Sequence, residues 1–70
     1  MTLKIRALAL VANELGHEQR DMLSKGFRWS GFHGGDHIIS WMANPLTGTA
    51  KAVFHVDLVL DKVTQVQGRA

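Results

Sequence analysis

Two imidazoles and a carboxylate set around a pair of glycines form the densest chemistry in this chain, the run Phe32-His33-Gly34-Gly35-Asp36-His37. Histidine changes charge near neutral pH and serves acid-base, metal and phosphate chemistry, and glycine pairs take backbone conformations that other residues avoid. As a metal site the run offers His33, Asp36 and His37, with His55 as a further ligand from a neighbouring strand. The spacing argues against this use. Ligand pairs four residues apart usually share a helix face, and Gly34-Gly35 is poorly suited to a helix. Neither a metal nor another cofactor is expected.

The catalytic use needs less. One well-placed imidazole can take a proton from a ribose 2′-hydroxyl or return one to a leaving 5′-oxygen, provided cations neutralise the phosphate. His37 is the better placed of the pair, because it opens a strand while His33 precedes the glycines. Lys25, Arg28 and Lys51 flank the same sheet as phosphate-binding cations, and Trp29 and Trp41 could stack bases. The plainer readings are a turn histidine bonded to a backbone carbonyl and a tryptophan anchored in the core. Asp36 would need a bulge to pair directly with His37, since neighbours in a strand point to opposite faces. His17 reads as helix-start surface, and His55 as a solvent-facing strand residue.

The elements that must hold these groups are legible from periodicity. Ile5, Leu8, Ala12 and Leu15 recur at helical spacing, Thr2 can cap the start and Gly16 can end the helix. His17 to Lys25 reads as a short second helix closed by Gly26, with Met22 and Leu23 as its apolar contacts, and Lys4 and Arg6 as solvated residues of the first. From Phe27 the alternation becomes two-residue. Phe27 and Trp29 share one face of a first strand, Ile39 and Trp41 one face of a second over His37 to Met42. Ala52, Phe54 and Val56 make the core face of a third over Lys51 to Val56. Asn44-Pro45-Leu46-Thr47-Gly48 is a turn between them. For the last segment the preferred expectation is a helix capped by Asp57, with Val59, Leu60, Val63 and Val66 at helical spacing and Gly68 as its end. The alternative is strand, because the valines are β-branched and Val56, Leu58 and Leu60 alternate. The fold class is therefore α+β: N-terminal helical segments, a three-stranded antiparallel sheet and a C-terminal helix, or a fourth strand in its place.

Seventy residues make a single domain, close to the size at which one core becomes marginal without a partner. There is no cysteine, which excludes disulfides and thiolate metal sites and suits the cytoplasm. Eight Lys and Arg against six Asp and Glu give a formal charge of +2, spread along the chain, enough to touch phosphate but not a dedicated nucleic-acid clamp. The apolar run Ala7 to Ala12 is too short for a bilayer, so no membrane partner is expected. Lys4 and Arg6 before it imitate a secretory signal, but cleavage there would leave too little chain to fold.

The stretch Asp21 to Trp29, then Gly35-Asp36-His37-Ile38, then Asn44-Pro45-Leu46-Thr47-Gly48 before a valine-rich strand resembles the HicA family of toxin components. That resemblance covers about Asp21 to Val66. It implies a double-stranded-RNA-binding-like α-β-β-β-α module that cleaves mRNA and is blocked by an antitoxin, with His37 as the catalytic histidine and Gly35 as the motif glycine. Asp36 departs from the pattern by placing a negative charge where phosphate would come. The basic, proline-containing run before the last helix is missing, and the segment up to Gly16 is extra.

The leading expectation is thus a small RNA-contacting module, in its catalytic version a metal-independent endoribonuclease using His37, with Lys25, Arg28, Lys51 and Trp29 on the RNA. The alternative is a non-enzymatic phage or mobile-element protein that binds and inhibits a host protein. Its size, modest charge and apolar surplus also suit a homodimer.

Overall fold

The computed structural model describes residues 2–44 and 48–68. One helix, α1 (Leu3–Leu15), is followed by β1 (Phe27–His33), β2 (Asp36–Asn44), β3 (Thr49–Asp57) and β4 (Lys62–Gly68). The strands form one antiparallel meander in the order β1-β2-β3-β4, and α1 packs across all four on one face. Among the described residues no helix is long and apolar enough to cross a membrane.

The start and end of α1 follow its capping chemistry. The Thr2 hydroxyl accepts from the Ile5 amide at 3.2 Å, and Gly16 takes the left-handed conformation at φ 74° that closes the helix. Ala7, Val11 and Ala12 are fully buried from this helix, against Met22, Phe27, Ile39, Ala52, Phe54 and Val56. Strand alternation delivers the last five of these to one side of the sheet.

A tight turn and the bulges along the strands set the sheet register. Gly34 and Gly35 have φ of 59° and 86°, the two positive values that a two-residue hairpin turn needs. They pair His33 with Asp36 and Phe32 with His37 across β1 and β2. Farther along, the ladder runs Trp29 to Ile39 and then Gly31 to Ile38, so Ser30 is an extra, bulged residue. That bulge shifts the parity of β1, and Phe32 rather than His33 lies on the helix side. The second bulge, at Lys51, lies between the pairs Trp41–Ala52 and Met42–Ala50. The turn expected over Pro45 to Thr47 lies outside the described residues.

Two expectations are corrected. The C-terminal segment is not a helix but the fourth strand of the sheet, so neither a three-stranded sheet nor the α-β-β-β-α order holds. Asp57 does act as a cap, since its carboxylate accepts from the amides of Val59 and Leu60 at 2.9 and 3.2 Å. The cap serves one turn only. Asp61 then takes φ 51°, outside the right-handed helical region, and the chain returns with Val63, Thr64 and Gln65 paired along the free edge of β3 and Val66 as a bulged residue. His17 to Lys25 is likewise not a helix. It holds a short 3-10 turn at Gln19–Asp21 and tight turns to Gly26, where a side chain would meet the Met42 carbonyl oxygen at 2.7 Å. Met22 is buried as expected, while Leu23 is 57% exposed.

Candidate functional site

His37 sits at the turn end of β2, on the face that α1 covers, and only 4% of it is exposed. Its Nδ1 accepts the indole N–H of Trp29 at 2.9 Å. An accepting Nδ1 places the ring proton on Nε2. No buried side-chain nitrogen or oxygen among the described residues lacks a hydrogen-bond partner. The ring lies 4.4 Å from that of Phe32, which is 63% exposed and meets Trp29 edge-on at 5.4 Å. From α1, the Lys4 ammonium stands over the Trp29 ring at 4.2 Å. The result is an aromatic cluster locked by one side-chain hydrogen bond and topped by a cation.

The other half of the segment faces away. His33 and Asp36 lie on the open face of the sheet, where His33 meets His55 with ring centroids 5.8 Å apart. The register therefore separates His37 from His33, Asp36 and His55. Among the described residues no group of three or more His, Cys, Asp or Glu is arranged to hold a metal ion.

The expected cations do not converge on His37. Lys51 stands over the Trp41 ring at 4.3 Å, and Lys25 offers its backbone carbonyl to the Trp41 indole at 2.8 Å. Trp41 is four residues along β2 from His37, about 13 Å at strand spacing. Arg28 lies on the opposite face, its guanidinium donating to the carbonyls of Leu23 and Phe27, both at 2.8 Å. Trp29 is beside His37, but Lys4 covers one ring face and Phe32 abuts its edge. Gly35 supplies the hairpin turn. This arrangement can present one imidazole nitrogen beside an exposed phenyl ring, with Lys4 as the nearby cation.

No family model, curated protein or solved structure matches this chain.

Two apolar surfaces were not singled out by the sequence reading. The turn between β3 and β4 holds Val59 and Leu60 at 92% and 70% exposure. It is fixed from both ends, by the Asp57 carboxylate on its amides and by an ion pair of Asp61 with Arg6 of α1 at 2.9 Å. On the other flank of α1 an open groove of about 610 Å³ runs between the helix and the 3-10 segment, floored by Ile5, Leu8, Met22 and Leu23. The signals were present in part. Gly34-Gly35 sets the pairing that joins Phe32 to His37, whereas the contact of Arg6 with Asp61 spans 55 residues and leaves no local trace.

Proposed function

We propose that this chain is a non-catalytic protein-interaction module of the cytoplasm, which inserts the apolar turn at Val59 and Leu60 into a hydrophobic cleft of a protein partner. The carrying observation is that this turn is at once apolar, exposed and braced. Turn tips in water favour small polar residues and glycine, and they are usually mobile. Here one carboxylate holds two backbone amides and a salt bridge ties the far end to α1, so the backbone that carries two large exposed aliphatic side chains is held in place. Burying them on a partner would contribute about 1.5–3 kcal/mol each. Pre-organisation lowers the entropic cost of doing so. The test is a variant with Val59→Ser and Leu60→Ser, which should melt like the wild type yet lose the proteins that immobilised wild type captures from lysate. Identical capture by both would remove the turn as the contact.

A second reading keeps RNA as the ligand, supported by the exposed Phe32 ring beside His37 with Lys4 close by. An exposed phenyl suits one stacked base and a lysine one phosphate. In its catalytic version His37 works through Nε2 as general acid or base, and an antitoxin restrains it. Expression of wild type should then slow growth of a host cell, and folded His37→Ala should not. A harmless wild type would end the catalytic version.

A further inference from the structure

The protein-binding reading leaves the partner open, and the two flanks of α1 speak to it. Residues advance by about 100° around a helix, so Leu3 and Ile5 point about 200° apart. Both are exposed, at 58% and 43%. On the Leu3 side, three residues on, Arg6 holds Asp61 and with it the convex Val59-Leu60 turn. On the Ile5 side lies the concave groove over Leu8, Met22 and Leu23. One molecule thus carries an apolar projection and an apolar recess on opposite flanks of the same helix.

We infer that the turn of one copy docks in the groove of a second copy of this chain, resting on the protein-interaction reading and naming its partner. Charge supports the choice of occupant. The groove is rimmed by Glu18 and Arg20, and the turn is followed by Asp61 and Lys62, so each side brings one charge of either sign. Docking sets Lys62 against Glu18, while Asp61 stays on Arg6 and keeps the turn in place. Because the two surfaces point in opposite directions, the contact is head-to-tail and extends to further copies instead of closing as a two-fold dimer. A four-residue turn buries far less than the roughly 1,200 Å² of a stable interface, so association is weak and concentration-dependent.

Sedimentation velocity from about 1 μM to about 1 mM tests this. Wild type should form dimers and longer species as concentration rises. A turn-blocked variant, Val59→Asp with Leu60→Asp, and a groove-blocked variant, Leu23→Asp, should each remain monomeric with an unchanged melting temperature. Mixed, they should form a 1:1 dimer and nothing larger, because each retains the half the other lacks. Glu18→Lys should weaken wild-type association about 2- to 5-fold, and adding Lys62→Glu should restore it. A wild type monomeric throughout, blocked variants that still associate, a mixture that stays monomeric, or absence of charge rescue would overturn the assignment. If wild type is monomeric while lysate capture still needs Val59 and Leu60, the second copy falls and the protein-interaction reading stands. If capture is also indifferent to them, both fall.

Discussion

Trp29 and Trp41 occupy the same face of the sheet, each half-buried and each beneath a lysine, at 4.2 Å from Lys4 and 4.3 Å from Lys51. Their indole N–H groups end differently. Trp41 donates to the backbone carbonyl of Lys25, while Trp29 donates to the His37 side chain. Both pack against the core, but Trp41 also stacks on the fully buried Phe27, with centroids 4.9 Å apart and planes within 10°, whereas the aromatic neighbours of Trp29 are the exposed Phe32 and the His37 imidazole. The Trp41 end is tied to main chain and core. The Trp29 end depends on a side chain that a single substitution can remove, next to a ring open to solvent. The same pair of residue types therefore yields one structural anchor and one surface that could engage a ligand.

The largest effect should come from Trp41→Ala, which removes the stack on Phe27 and should cost about 3 kcal/mol or more by urea denaturation. Trp29→Ala should cost clearly less, and equal losses would erase the distinction. His37→Ala comes next, at about 1–3 kcal/mol, because the indole N–H loses its acceptor and Phe32 a neighbour. A double-mutant cycle of Trp29→Phe with His37→Ala should show coupling of about 1 kcal/mol, which locates the loss in that one bond. Trp41→Phe should cost less than Trp41→Ala by most of the ring-stacking contribution, since the Lys25 carbonyl is open to water. Smallest are Lys4→Ala and Lys51→Ala, about 0.5–1 kcal/mol each for exposed cation–π contacts. A larger loss at Lys4 than at Lys51 in the same melts would mean that the lysine helps hold the Trp29 end together.

Local pattern carried much of this architecture. Thr2 and Gly16 bound the first helix because capping is a property of a few adjacent residues. Ala52, Phe54 and Val56 could be placed in the core, and Phe27 and Ile39 on one face with the tryptophans, because strand parity is equally local. The fourth strand was ambiguous for a physical reason. Asp57 makes the same bonds in a one-turn loop as at a helix start, and only the unpaired edge of β3 draws the residues beyond Asp61 into a strand. The site was legible to the same depth. His37 does lie at the start of a strand, but its face and its partner depend on a hairpin register and a bulge, and Lys4 reaches Trp29 across the fold. The expected cations scatter because residues flanking one sheet can still lie on opposite faces or at opposite ends of it.

The Ser30 bulge bears on how this segment tolerates insertion and loss. Removing one residue from a strand ordinarily turns every following side chain over. In β1 the extra residue already sits outside the two-residue rhythm, so excising Ser30 would leave Gly31, Phe32 and His33 on their present faces and cost little beyond its hydroxyl bond to Ser40. Keeping Ser30 but drawing it into the regular ladder would instead set Ser30 against Ile38 and Gly31 against His37, turn Phe32 out to the open face and push His33 into a three-residue turn. The bulge thus keeps the exposed Phe32 ring beside the His37 imidazole, and a one-residue slip would part the two while the order of the strands stayed the same.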